Sequence, residues 1–308
     1  MSRRYFTLDV FTDRALAGNP LAVVLDGQGL DDATMQAIAG EFNLSETVFV
    51  FPPQEPAHRA ALRIFTPGRE LPFAGHPTVG TALLLATLDG LGQGATHFVL
   101  EEKIGLVPCR VAAADQGCIE ALFTLPRLPQ RVEPAARVTD IALAIGVAGS
   151  DIGFDAHQPA VFSAGVGFTM VPLKSLSAVA KARISRDHWH AGVLPADHAN
   201  AFVYCRETTE AGHQFHARMF APDLGVGEDP ATGSAVAAFA GAVAEYEGLG
   251  DGRHVLLIEQ GYEMGRPSLI RLEMDMVGGA LVEARIGGGA VIVSEGTLRL
   301  SALASYGP

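Results

Sequence analysis

The chain has little of what several function classes require. Its 308 residues hold three cysteines, Cys109, Cys118 and Cys205, an odd number with no CxxC pair. Neither a disulfide framework nor a zinc ribbon is expected, and packing accounts for all three in a reducing compartment. Lys and Arg number 22 against 34 Asp and Glu, a formal charge of −12, and no basic run occurs. Nucleic acid and anionic membrane surfaces are therefore poor candidate partners. No apolar stretch reaches the ~18–20 residues a membrane-spanning helix needs. The opening MSRRYFTLDVF runs straight into strand-like alternation, which leaves no room for a signal peptide, so a cytoplasmic location is expected. Glycine-rich nucleotide motifs (GxGxxG after a strand, GxxxxGK[ST]), the GxSxG elbow and HExxH are also missing. DHWH (Asp187–His190) and HQFH (His213–His216) lack companion ligands in metal spacing, so they read as surface or packing histidines and no metal is expected.

What the chain does have is a large apolar fraction, 48% against 18% charged, enough for two ordinary domains. It also repeats itself. RIFTPGRELPFAGHPTVGTA (Arg63–Ala82) and ARMFAPDLGVGEDPATGSA (Ala217–Ala235) align Arg63 with Arg218, Phe65 with Phe220 and Pro67 with Pro222. Beyond a two-residue loop difference, Pro77, Gly80 and Ala82 fall opposite Pro230, Gly233 and Ala235. The period is about half the chain, too long for a solenoid, and points to a duplicated domain. Pro126, Pro129 and Pro134 mark the join. The expected organisation is residues 1–125, a linker at 126–137, and residues 138–308, with the last strand free to return to the first half.

Each half shows short strands rich in branched and aromatic residues, then one helix after the repeated arginine strand: PTVGTALLLATLDG and PATGSAVAAFAGAVAEYEG. Both helices are apolar nearly all round, so each must be enclosed by its own sheet. The fold class is α+β, with two pseudo-symmetric domains, each a barrel-like mixed or antiparallel sheet around a central helix.

Proline is favoured at the first helical position, which predicts helix starts at Pro77 and Pro230 and N-caps at His76 and Asp229. Asp is a common cap; His is not, and the positive helix end opposes its protonation. A neutral His76 is thus a candidate ligand-facing group. Backbone amides around Thr78, Val79 and Gly80, and around Ala231, Thr232, Gly233 and Ser234, are expected to attract a small anion such as a carboxylate. Gly75 and Gly233 would let a ligand approach closely. Glu46, in NLSETVFVF, stands among apolar neighbours on both strand faces, which should raise its pKa toward that of a general acid/base. A shift of 154 places Asn200 opposite Glu46, giving one half an acid/base and the other a neutral hydrogen-bonder.

The segments VFTDRALAGNPLAVV, SETVFV, FAGHPTVGTA, RMFAP, EDPATGSA and GGGAVIVSEGTLRL together resemble the phenazine-biosynthesis PhzF-like family, relatives of diaminopimelate epimerase. The resemblance spans the chain. It implies two similar domains with the active site between them, a homodimer, and no metal, PLP or nucleotide. The family's founding activity is isomerisation of trans-2,3-dihydro-3-hydroxyanthranilate. By resemblance, Glu46 would move a proton from the ring carbon bearing the hydroxyl to another ring position. His76 and Asp229 would hydrogen-bond the substrate's polar groups, and Gly75 and Gly233 would lie where the epimerases carry a cysteine pair. No cysteine falls at either helix start here, which removes the two-thiol mechanism. The expected function is a cofactor-independent, one-base isomerase of a small carboxylate. The alternatives are an amino-acid epimerase or racemase with His76 or Asp229 as second base, and a carboxylate-binding protein without turnover.

Overall fold

Alternating branched and aromatic residues put more of the described residues into strands than into helices. The computed structural model describes residues 2–90, 94–113, 119–193 and 199–300. These divide into two units, one of Met1–Leu16, Pro20–Ala121 and Gly289–Pro308, the other of Ala17–Asn19 and Leu122–Gly288.

The first unit contains β1 (Ser2–Val10), β2 (Asn19–Val24, from Pro20 on), α1 (Asp32–Phe42), β3 (Glu46–Phe51), β4 (Ala60–Phe65) and β5 (Glu70–Leu71). It continues with α2 (Gly75–Leu88), β6 (Thr96–Glu102), β7 (Gly105–Ala113) and the start of β8 (Ile119–Thr124). β2 runs parallel to β3, β3 antiparallel to β4, β4 antiparallel to β5 and parallel to β6, and β6 antiparallel to β7. α1 is capped by Asp31, whose side chain accepts from the Thr34 amide, and lays Met35, Ile38 and Ala39 on Val24, Phe49 and Phe65. Every residue of α2 from Gly75 to Ala86 is buried. The helix touches β1, β3 and β7, so its apolar circumference is matched by sheet on several sides.

The second unit holds β9 (Gln130–Pro134), α3 (Val138–Ile145), β10 (Ala160–Ser163), β11 (Gly167–Pro172), α4 (Leu176–Lys181), α5 (Trp189–Gly192) and β12 (Ala201–Cys205). It is completed by β13 (Phe215–Ala221), β14 (Val226–Asp229), α6 (Gly233–Tyr246), β15 (Gly252–Gln260), β16 (Ser268–Val277) and the first part of β17 (Ala280–Arg299). Its pairing repeats the first unit's order and sense. β11 is parallel to β12, β12 antiparallel to β13, β13 antiparallel to β14 and parallel to β15, and β15 antiparallel to β16. α6 is as long as α2, 14 residues, and packs on β9, β10, β11 and β16.

The expected boundary and the expected linker differ from this, whereas the last strand's return to the first half does not. The division falls at Ala121/Leu122, and the expected linker, 126–137, contains β9, which pairs antiparallel with β10. Its prolines do not prevent this, because Pro126 and Pro129 precede the strand and Pro134 ends it. From Gly289 onward β17 belongs to the first unit, where it pairs with β1 from Val10↔Ala290 to Ser2↔Arg299. Among the described residues no helix is long and apolar enough to cross a membrane.

Candidate active site

Glu46 opens β3 and His76 is the second residue of α2, both in the first unit. Parallel pairing sets Glu46 beside Leu21 of β2. The side chains are withdrawn from water, 16% exposed for Glu46 and 6% for His76, and His76 Nε2 lies 3.3 Å from Glu46 Oε2. The approach is off the line of a hydrogen bond, and Nε2 forms none. His76 does bond the backbone of Pro20, which has only a carbonyl to offer. The ring therefore donates to Pro20 through Nδ1 and turns the Nε2 lone pair toward the carboxylate. Burial pulls the His76 pKa down to about 3, against the smaller opposing pull of the Pro20 carbonyl. The ring is neutral at physiological pH.

The helix starts differ from the sequence expectation. α2 begins at Gly75 with Ala74 as N-cap, and α6 begins at Gly233 with Thr232 as N-cap. His76 and Pro77 lie inside the first turn of α2, whereas Asp229 ends β14 and Pro230 precedes the helix. Gly75 therefore corresponds to Gly233, 158 positions on, and the alignment of Gly80 with Gly233 is wrong. The reason is loop length: the second half reaches its helix after a strand that uses Asp229, so matching prolines misplaces the turn.

This redistributes the expected donors. Thr78 sends its amide and its hydroxyl to the Ala74 carbonyl, at 3.2 and 2.7 Å. The amides of Val79 and Gly80 fall within the helical ladder. Gly80 is a packing residue, since a Cβ there would stand 2.7 Å from Leu21 Cδ2 and Val10 Cγ2. The amides without an intrahelical acceptor by position are those of Gly75 and His76 in α2, and of Gly233 and Ser234 in α6. The Thr232 amide is taken by Gln260 Oε1 at 3.1 Å.

Asp229, in the second unit, is buried and held on both oxygens. Asn19 Nδ2 donates to Oδ1 at 3.0 Å and Thr232 Oγ1 to Oδ2 at 2.5 Å. Gln260 Nε2 donates to the Asp229 carbonyl at 2.7 Å and to Thr232 Oγ1 at 3.0 Å. Asn19 and Gln260 were not singled out from sequence. Gln260 carried no signal, because its place beside Thr232 comes from the β13–β15 crossover. Asn200 is buried and donates through Nδ2 to the Gly167 carbonyl at 3.2 Å.

Each unit also contains a clasped carboxylate that sequence reading missed. Glu101 accepts from the amides of Gln54 and Glu55 and meets His58 Nδ1. Glu259 accepts from the amides of Thr209 and Glu210 and meets His213 Nδ1. The donors have one spacing, residues 54, 55 and 58 against 209, 210 and 213. His216 of HQFH adds a second imidazole to Glu259 and also meets Glu263. In DHWH, His190 is exposed, 3.6 Å from Asp223. Among the described residues no three His, Cys, Asp or Glu side chains are arranged to hold a metal ion. Cys109 and Cys205 are free and buried, and Cys118 lies outside the described residues.

The sequence profile of the phenazine biosynthesis-like family, PhzC-PhzF, matches residues 8–296. An uncharacterized isomerase of Mesorhizobium japonicum is 51% identical over 301 residues, covering 96% of this chain and 99% of its own length. The trans-2,3-dihydro-3-hydroxyanthranilate isomerase of Pseudomonas aeruginosa is 33% identical over 293 residues, 95% of this chain and 98% of that one. Among solved structures, the Bacillus anthracis phenazine biosynthesis protein of the PhzF family superposes with a TM-score of 0.89 at 27% identity, covering 97% of this chain and all of that one. With the match running through nearly the whole chain and the fold shared from end to end, the protein belongs to the phenazine biosynthesis-like family and is an isomerase.

Proposed function

We propose that the protein shifts one proton within a small cyclic carboxylate of the trans-2,3-dihydro-3-hydroxyanthranilate type, without a cofactor, and that Glu46 carries the proton. The observation that supports this most is the contact between Glu46 Oε2 and a neutral His76 Nε2 at 3.3 Å. With Nδ1–H hydrogen-bonded to Pro20, two lone-pair-bearing atoms face each other, and a proton carried by Glu46 finds a hydrogen-bond acceptor in Nε2. Glu46 takes a proton from a substrate carbon, becomes a neutral acid, and returns the proton to a second carbon. The carboxyl ends as it began, the electron pair stays in the substrate, and no oxidant or reductant is needed.

His76 acts as a neutral acceptor for a substrate O–H or N–H and for the proton resting on Glu46. A ring whose pKa is near 3 is too weak a base to serve as the second base of an epimerase, so the one-base shift is the preferred reading. Asp229 is assigned a holding role, because Asn19 and Thr232 fix both its oxygens. The amides of Gly75, Gly233 and Ser234 are the donors assigned to anionic substrate groups.

The test is incubation with dihydrohydroxyanthranilate and related small carboxylates in heavy water, followed by NMR. Positional shift or deuterium uptake should fall by about 10²–10⁴-fold in Glu46→Gln, the range for losing a general acid/base. Exchange at the wild-type rate in that variant overturns the assignment.

A further inference from the structure

Glu102, the last residue of β6, is a buried carboxyl that the proton shift does not use. It is 8% exposed, and its Oε2 is buried without a hydrogen bond. Its Oε1 lies 2.8 Å from Thr78 Oγ1, and the same hydroxyl lies 2.7 Å from the Ala74 carbonyl. A threonine hydroxyl has one proton and here meets two oxygens. With Glu102 ionised, the single Thr78 proton is shared between the two oxygens; with Glu102 protonated, each contact has its own proton, Glu102 donating to Thr78 while Thr78 donates to Ala74. The groups bearing on Glu102 from the packed elements are the Thr78 hydroxyl of α2 and the Cys109 thiol of β7. On its own strand, Glu101 is turned to His58 and the Gln54 and Glu55 amides, and beyond the strand Lys103 is exposed beside Glu70. Arg63 of β4 and Lys103 line the same cleft as Glu102, but both pair with Glu70. Burial pushes the Glu102 pKa up to about 8, opposed by the bond Thr78 can donate to the ionised carboxylate.

The second unit performs the same task with an amide. Gln260 follows the clasped Glu259 as Glu102 follows the clasped Glu101, again 158 positions apart, and it ties the start of α6 through the Thr232 amide and hydroxyl. A protonated glutamic acid is the nearest chemical equivalent of that glutamine.

We propose that Glu102 is a positioning residue for His76: as a neutral acid it donates to Thr78, which holds the Ala74 carbonyl and so the helix turn on which His76 stands. This rests on the reading of Glu46 and His76 as the proton-shifting pair. Once Glu102 ionises, the Thr78 proton is drawn to the carboxylate and leaves Ala74 with the weaker amide bond at 3.2 Å. The first turn then loosens as pH rises past about 8.

The experiment compares the wild type with Glu102→Gln and Glu102→Leu. Without substrate, the His76 ring and amide resonances of the wild type should shift with a midpoint near pH 8, although the ring itself does not titrate there. Glu102→Gln should show wild-type shifts at pH 7 and no such midpoint, whereas Glu102→Leu should displace the His76 signals at every pH. With substrate, Glu102→Gln should keep the pH 7 rate within about twofold and lose the alkaline limb, and Glu102→Leu should lower kcat on the order of tenfold or more. An unaltered His76 titration in Glu102→Gln, or an ionised Glu102 carboxylate in the infrared difference spectrum at pH 7, overturns the proposal. The NMR arm needs no substrate, so failure to find turnover overturns the assigned reaction and leaves the Glu102 result standing by itself.

Discussion

Replacing His216 by Leu should destabilise the protein by an amount that depends steeply on pH. The ring is 1% exposed, with Nδ1 2.7 Å from Glu259 Oε2 and Nε2 3.1 Å from Glu263 Oε1. Burial disfavours its charge, but the hydrogen bonds to Glu259 and then Glu263 outweigh that and raise its pKa from 6.5 to about 9. A folded-state pKa above the unfolded one contributes stability that is complete below pH 6.5 and is lost as pH rises through 9. At ~1.4 kcal/mol for each tenfold change in proton affinity, the rise from 6.5 to about 9 corresponds to about 3.5 kcal/mol. Glu259 gives the mirror statement. Its burial raises the pKa, while His216, the amides of Thr209 and Glu210, and His213 together lower it to about 2. That contribution is present above pH 4.5 and lost as pH falls through 2. The two describe one set of bonds and are not added. Urea unfolding at pH 6 should therefore show a loss of about 3–5 kcal/mol for His216→Leu, the cost of stripping a buried carboxylate of its partner. At pH 9.5 the wild type has itself lost most of the charge interaction, and the difference should shrink to about 1 kcal/mol. An equal loss at both pH values would refute the reasoning and reduce His216 to a packing residue. The first unit provides the contrast: Ala61 faces Glu101 where His216 faces Glu259.

Three further outcomes follow from the same geometry. Gly80→Ala places a methyl 2.7 Å from Leu21 and Val10 inside the first unit, and thermal or urea unfolding should show a loss of about 1–3 kcal/mol from overpacking. With the His76 pKa near 3, turnover should show no break at pH 6.5, and a pH–rate profile with an inflection there contradicts a neutral ring. Burial lifts the Cys205 thiol to about 12 and the Cys109 thiol higher still, so neither should react with a disulfide reagent at pH 8 before unfolding; peptide mapping of labelled cysteines reads this directly.

The duplication was legible because strand periodicity and the paired Arg-x-Phe-x-Pro segments survive in both halves. Few neighbouring residues match when Glu46 is set opposite Asn200, yet the pairing registers support that alignment. Thr47 lies opposite Phe65 and Ala201 opposite Phe220, so the residues before them hold matching places. Proline preference misplaces the helix starts because tertiary context outweighs it. An N-cap need not bear a capping side chain when the turn is enclosed, and neither Ala74 nor Thr232 makes a side-chain cap bond. Glu102 and Gln260 were illegible for another reason. Each meets its helix only through a parallel crossover, β4–β6 or β13–β15, and no local pattern encodes that distance. The adjacent pair Glu101–Glu102 at a strand end was the one available hint, since neighbours on a strand face opposite sides and one of two carboxylates must then turn inward.

The most direct measurement of the central claim uses dihydrohydroxyanthranilate carrying deuterium on the ring carbon that loses its proton, turned over once in ordinary water. Proton carriage by Glu46 alone predicts that part of the label reappears on the receiving carbon of the product, with unreacted substrate keeping its configuration. Complete loss of label, together with inverted configuration in recovered substrate, would mean two bases on opposite faces and would contradict the account.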